Sequence, residues 1–469
     1  MSLTEGSTLY HLWQKPPVNV YIKVEILENT NVTFNPNDTV TYIPKRRVQA
    51  EPEISPRDAH AERIIVPNVA LLGMASMLHN SSLLLNAGLA ALARYLDSQP
   101  FLNLTAHEYL WGYDDPLVRL ASTVLPNWIP FSRLGLMDRM FDEGENVITV
   151  ALNGGQAAET EAMERRRRIY SIDSYNGWTA LRQWTGETSC SSLKGVSEGV
   201  LYPKRMRSND TFLIYRKAFC RVLPVAFSRS GVTNEGFPAY WFHLPDNVFD
   251  SPDRNPENAC YCRPKVAPCL LSGLADLTPC YYGIPVALSF PHFLKGDPRL
   301  LDKMDGLSPD PSKHESIIVI QPDLGLPLTV RSRMQLNLAV HNTRLQSQVA
   351  RFNNHTLPIF WLDWYFDMPD EVSRLMHLVL FVAPALQSTA IVLLALLGIA
   401  MLGLATCSCS KKNTLFDTLL IPINAINLEI ICNRPERYDH SINRGTSMTK
   451  PYLTSRQIRK HSSTHETSG

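Results

Sequence analysis

The sequence predicts an α+β fold, or a barrel carrying helical insertions, followed by one C-terminal membrane helix. Three observations predict it. Leu378–Thr406 runs for 29 residues without a charge. A helical region opens at Pro67-Asn68, near the front of the chain. Behind it, strand-like segments dominate from Val147 to Trp364, several of them alternating apolar and polar residues.

The charge-free run exceeds the roughly 20 residues a helix needs to cross a bilayer. In hydrocarbon every backbone polar group must be paired within the segment, so a helix is the open-chain solution. Asp363, Asp367, Asp370 and Glu371 precede the run, and Lys411 and Lys412 follow it. Beyond residue 410 there are nine Lys/Arg against five Asp/Glu, the bias of a cytoplasmic flank. Residues 1–377 are therefore expected in the lumen or outside the cell, 378–407 in the membrane and 408–469 in the cytosol. Gly398 and Gly403 are five apart, which is not a small-xxx-small dimer seam.

Composition agrees. With 469 residues, 19% charged and 45% hydrophobic, the chain has material for a sizeable core. A net charge of +1 argues against nucleic acid as a partner.

In chain order, Met1–Pro17 has no apolar h-region, so it reads as neither signal peptide nor signal anchor, as in a truncated or alternatively spliced exported protein. Val18–Ile26 alternates like a half-buried strand and Val40–Ile43 is a second, followed by the charged connector Pro44–Arg63. Asn68 caps one helix, and Ser81-Ser82 caps another through Tyr95. Leu83, Leu84, Leu85, Leu89 and Leu92 make the second apolar over much of its surface. That suits a buried core helix, or one that contacts lipid or a second copy. Asn86 and Arg94 exclude a membrane span. Glu108–Pro116 reads as a turn closing the block, whose region is 68–140.

In the β region (147–364), Asn176-Gly177 suits a type I′ hairpin turn. Pro238–Leu244, Ser316–Ile320 and Met334–Val340 read as half-buried strands.

Six of nine cysteines, Cys190, Cys220, Cys260, Cys262, Cys269 and Cys280, fall on the side assigned to the oxidising compartment. Spacing leaves many disulfide pairings open. A zinc site from the last four would need a C-x-C start in place of the usual knuckle, so cross-links are expected. No metal or other cofactor is expected. Gly195-Val196-Ser197-Glu198-Gly199 matches a nucleophile elbow, which needs a buried strand before it and a helix after it. Polar Thr188–Lys194 and Tyr202-Pro203-Lys204 supply neither, so it reads as a turn and no enzyme is expected. His292 and His314 read as structural. Arg165, Arg166, Arg167 and Arg168 form the densest charge run: a solvated strand entry, a site for anionic lipid or lipoprotein, or a basic protease site. Sequons at Asn31, Asn37, Asn80, Asn103, Asn209 and Asn354 all precede the span. Cys407 and Cys409, beside its inner face, suit reversible palmitoylation.

A set of motifs spans essentially residues 4–407. It comprises Glu5-Gly6-Ser7 to Trp13-Gln14-Lys15-Pro16-Pro17, Tyr109-Leu110-Trp111-Gly112-Tyr113 and Ile172-Asp173-Ser174-Tyr175-Asn176-Gly177. Cys220-Arg221, Gly236-Phe237-Pro238-Ala239-Tyr240, Asn258-Ala259-Cys260-Tyr261-Cys262 and Ser289-Phe290-Pro291-His292-Phe293 continue it. With these the chain resembles the class B scavenger receptors, the family of fatty-acid translocase, the high-density-lipoprotein receptor and the lysosomal integral membrane protein. The resemblance implies an antiparallel β-barrel ectodomain with a helical-bundle apex. A hydrophobic tunnel would carry fatty acids, sterols, carotenoids or cholesteryl esters to the bilayer. It also implies the pairs Cys190–Cys260, Cys220–Cys280 and Cys262–Cys269.

Three departures stand out. The family's first transmembrane segment is absent, and a segment between Val24 and Asn31 is missing, which is expected to leave an unpaired barrel edge. Where some relatives present apex lysines, this chain has Arg94, Tyr95 and Asp97, so Arg133, Arg139 or the Arg165–Arg168 run would take over ligand capture. The expected function is a plasma-membrane receptor, with a lysosomal location second. Its partners would be lipids, lipoproteins or anionic particles, and it would also self-associate. A trafficking or adhesion receptor for a protein partner is the second reading; Leu419-Leu420 has Leu415 rather than an acid four residues before it. A non-productive splice form is the third.

Overall fold

A computed structural model describes residues 21–34, 40–47, 61, 63–78, 81–141, 148–150, 169–184, 186, 188–197, 199, 201–262, 269–302, 304–341, 343 and 346–416. The chain divides into two compact units, Met1–Leu386 and Gln387–Gly469.

In the first unit the early strands are β1 (Tyr21–Phe34), β2 (Val40–Arg47), β3 (Arg63–Pro67), β4 (Phe101–Thr105), β5 (Tyr113–Asp114), β6 (Arg133–Leu134), β7 (Ile148–Val150) and β8 (Ile172–Tyr175). They are followed by β9 (Val196–Ser197), β10 (Phe212–Arg216), β11 (Arg221–Val232), β12 (Pro238–His243), β13 (Ala275–Asp276) and β14 (Val286–Ser289). The last are β15 (Ile317–Gln321), β16 (Leu326–Val340) and β17 (His355–Asp367).

Eleven strands make one sheet, ordered β2-β1-β17-β16-β15-β12-β11-β10-β9, with β14 joining β16 and β13 joining β14. Its pairings are antiparallel except β9–β10, which is parallel. Among the described strands none pairs β2 with β9, so the sheet is open, as the unpaired edge expected above implies, and mixed rather than the wholly antiparallel barrel of the resemblance. One edge ends at β9. It is two residues long, and the flanking Gly195 and Gly199 have φ of +72° and +79°, which turn the chain out of the extended line.

β16 is the axis of this sheet. β17 pairs along one edge from Thr329 to Val340. The opposite edge pairs first with β15, through Leu326–Arg331, and then with β14, through Gln335–Leu338. Every residue from Met334 to Val340 is buried, including Gln335 and Asn337. The half-exposed strand read from the alternation is thus covered on both faces. Its polar face is bonded: the His292 amide donates to Gln335 Oε1 at 2.8 Å, Gln335 Nε2 donates to Asn337 Oδ1 at 2.8 Å, and Asn337 Nδ2 donates to Ser289 Oγ at 2.9 Å.

Five of the described α-helices cluster between residues 69 and 141. Asn68 caps Val69–Met77 by accepting the Leu71 amide at 3.0 Å, and Ser82 caps Leu83–Tyr95 through Leu85. In the second helix only Asn86, Leu89 and Ala93 are buried, whereas Leu83 and Leu84 are 72% and 81% exposed. It is therefore not a buried core helix. Asn86 does structural duty instead: its amide donates to the Leu78 carbonyl at 2.9 Å, and its own carbonyl accepts from Gln346 at 2.8 Å. The segment expected to be a turn begins as a helix, Ala106–Trp111. A reciprocal capping box between Thr105 and Glu108 starts it, and Gly112 ends it. Helices Pro116–Val124 and Leu136–Phe141 follow.

The second unit is described by the helix Ala383–Phe416, which begins in the first unit. Asp370–Thr406 is one helical stretch long and apolar enough to cross a membrane. The motif residues before Tyr21 and the tail beyond Phe416 lie outside the described residues.

Candidate functional site

An apolar cavity of about 70 Å³ opens on the inner face of the large sheet. Ile214 of β10, Leu223 and Val225 of β11, Ile318 of β15, Val330 and Met334 of β16 and Trp364 of β17 line it. Alternation along each strand puts such residues on a common face. The sheet curls so far that Arg216 of β10 places its guanidinium 5.9 Å from the ring centroid of Trp364 of β17. Four strands, β11, β12, β15 and β16, separate those two along the hydrogen-bonded path.

Polar groups interrupt the apolar wall: Arg216, His243 and Tyr202, with Ser316, Arg331 and Ser332 also on its lining. Tyr202 lies in the segment after β9, which is laced to the β15–β16 turn. Its amide donates to the Gly325 carbonyl at 3.0 Å, and the Met206 amide donates to Pro322 at 2.9 Å. Gly325 has φ +69°, and a Cβ there would strike the Tyr202 carbonyl oxygen. Only glycine permits this approach. The Tyr202 ring meets Phe212 edge-on at 5.5 Å, and its buried hydroxyl has no hydrogen-bond partner. Burial pushes the phenol's ionisation up, and nearby Arg216 partly offsets this. Buried His243 Nδ1 also lacks a partner. Arg331, at the same cavity, shares Asp363 with Arg333, at 3.2 and 3.3 Å.

A second cavity, of about 300 Å³, lies beside the Cys262–Cys269 bridge. Arg221, 3% exposed, lines it with its guanidinium 4.1 Å from the Tyr261 ring centroid. Burial lowers the Arg221 pKa to about 10, against the opposing pull of Tyr261 and Asp276. Asp250 and Asp276 face the same space.

The structure joins Cys190 to Cys260, Cys220 to Cys280 and Cys262 to Cys269, with Cα–Cα distances of 5.9, 6.0 and 5.3 Å. Among the described residues no group of three or more His, Cys, Asp or Glu is arranged to hold a metal. Ser197 Oγ accepts the Gly199 amide and donates to the Leu201 carbonyl within a turn. His292 and His314 stack at 4.4 Å, each accepting a backbone amide at Nδ1.

The arginines expected to capture ligand are already engaged. Arg94 donates to Ser347 Oγ at 2.8 Å and Arg133 to the Gly112 carbonyl at 2.7 Å. Arg139 pairs with Asp138 and lies over Phe131. The Arg165–Arg168 run, Asn37 and Asn80 lie outside the described residues. Asn31 lies in β1, and Asn103, Asn209 and Asn354 are exposed. Cys407 and Cys409 fall in the last helix, with their side chains outside the described set. Sequence reasoning missed Arg216, Tyr202, His243 and Trp364. The signal for the first was an arginine in phase with Phe212 and Ile214, on the apolar face of a period-two strand.

The chain matches the CD36 family over residues 24–409. It is 30% identical over 398 residues to rat scavenger receptor class B member 1, which covers 83% of this chain and 74% of the relative. The mouse protein of that name is 28% identical, covering 86% and 77%. Rat lysosome membrane protein 2 is 25% identical over 392 residues, covering 77% of this chain and 78% of its own. With a family match across most of its length, the chain belongs to the CD36 family.

Proposed function

We propose that this chain is a membrane-anchored scavenger-type receptor that binds lipids or lipoproteins and passes apolar cargo to the bilayer. The observation that carries the reading is the apolar cavity lined by the curled sheet between β10 and β17. An apolar ligand leaving water gains about 25 cal/mol per Å² buried, so a dry route lets it travel without rehydration. In this reading that inner face is part of a barrel-type tunnel for fatty acids, sterols, carotenoids or cholesteryl esters, and the helical region 68–140 collects them. Residues 1–377 face the outside of the plasma membrane, glycosylated at the six sequons and closed by the three disulfides. Residues 378–407 span the membrane, and 408–469 form a cytoplasmic tail palmitoylated at Cys407 and Cys409.

The test is to express the full chain in mammalian cells, purify it, extract it and identify bound lipid by mass spectrometry. Co-purified lipid above the level of a control membrane protein supports the reading, and its absence overturns it. A mobility shift on endoglycosidase treatment reports separately that residues 1–377 reached the lumen. One observation favours a second reading: Leu83 and Leu84 stand exposed on a helix, as a docking site for a protein partner or a second copy would.

A further inference from the structure

We propose that Arg216, together with the Tyr202 hydroxyl and His243, forms a polar station inside the apolar cavity that holds the oxyanion head of a single-chain amphiphile. This rests on the lipid-conducting reading above and specifies, for the same cavity, the head chemistry and the residues that meet it.

Four observations converge. First, among the described residues no carboxylate is bonded to Arg216, whose guanidinium lies by the Trp364 ring and near Tyr202. Second, two residues on the lining, Tyr202 and His243, each carry a buried polar atom, Oη and Nδ1, that has no hydrogen-bond partner. Buried polar atoms are rarely left so, because each forfeits its bonds to water. An oxyanion would accept from the guanidinium and the phenol together, and from His243 in the Nδ1–H tautomer. Third, the local charge favours an anion: Arg216 and Arg331 line the cavity, and Asp363 beside Arg331 is shared with Arg333. Fourth, most of the remaining wall suits a hydrocarbon chain, as Ile214, Leu223, Val225, Ile318, Val330 and Met334 line it beside Ser316 and Ser332. At about 70 Å³ it has room for roughly five water-sized groups, enough for a head and its first methylenes.

The station makes the route selective. A neutral ester brings no charge to pair with Arg216, whereas an oxyanion is held by a charge-assisted bond. The same chemistry is offered by an unesterified acyl chain and by a lysophospholipid phosphate.

The experiment uses the purified full chain in lipid nanodiscs. Equilibrium binding is measured for palmitate, lysophosphatidate and methyl palmitate. Wild type is expected to bind at least one of the two anionic probes about tenfold tighter than methyl palmitate. Arg216→Gln removes that difference without changing methyl palmitate affinity, Arg216→Lys restores part of it, and Tyr202→Phe weakens the anion about threefold. The thermal midpoint of each variant reports its folding, and Tyr202→Phe, which removes one oxygen, keeps the test alive should Arg216→Gln misfold. Whichever anionic probe responds to Arg216 identifies the source of the head group. Equal affinities for acid and ester in wild type, or a preference surviving Arg216→Gln, overturn the station and leave lipid binding standing. Failure of all three probes to bind overturns both.

Discussion

Arg216 and Trp364 face each other at 5.9 Å from strands that lie five hydrogen-bonded steps apart. The contact measures how strongly the sheet curls, because a flat sheet would hold those strands about 24 Å apart at the usual spacing. Trp364→Ala removes the ring from both the cavity wall and the cation–π contact. A loss of about 2 kcal/mol is expected in urea unfolding, and Trp364→Phe should cost less than half of that.

The three disulfides close loops of very different length, with sequence separations of 70, 60 and 7. Chain-entropy reasoning gives about 4 kcal/mol for each long bridge and about 2 kcal/mol for the short one. Replacing both cysteines of Cys190–Cys260 or Cys220–Cys280 by serine should therefore lower the thermal midpoint more than the same change at Cys262–Cys269. Equal losses would refute the ordering.

Asn337 is fully buried and donates to Ser289 Oγ and the Ala287 carbonyl while accepting from Gln335. Asn337→Ala strands those partners in an interior without water. A destabilisation of about 2–3 kcal/mol is expected in denaturant titration. Conversion to Leu should do no better, since it fills the space and still leaves the partners unbonded.

Gly325→Ala places a methyl against the Tyr202 carbonyl at a backbone angle that L-residues avoid. The chain must then release the Tyr202 segment from the β15–β16 turn. Stability should fall by more than about 1 kcal/mol, and Tyr202 should become accessible to iodination, which is read by mass spectrometry.

Asp297 is held at a pKa of about 2, chiefly by the Arg299 guanidinium at 2.7 Å and also by the Arg299 amide. The folded value lies below the unfolded value of about 3.9, so the native state favours the ionised form. That stability is fully present above about pH 4 and is lost as pH falls toward 2. Asp297→Asn, which keeps the turn cap but not the charge, should flatten this part of the acid unfolding curve.

Local features were legible in the sequence. Asn68 and Ser82 cap helices, and Asn176-Gly177 makes its turn with φ of +51° and +77° and reciprocal bonds between Tyr175 and Trp178. Each depends on neighbours within four residues. The helix Ala106–Trp111 was misread because Gly112 and Asp115-Pro116 signal a turn more loudly than the T-x-x-E box that precedes them. Covering of the polar face of β16 was not legible, because the residues that bond it come from the segment Ser289–His292, far away in the chain. The candidate site was hidden for the same reason. Arg216, Tyr202, His243 and Trp364 sit on four separate segments, and only the curl of the sheet brings them to one cavity. The disulfide pairs followed from the family resemblance, since spacing alone leaves them open.

β1 takes Tyr21–Ile26 into register with Phe360–Tyr365 of β17. Among the described strands, the earliest thus completes its ladder only with the last. Assembly of this sheet is of high contact order, and that edge of β1 stays unpaired, open to self-association, until β17 is available.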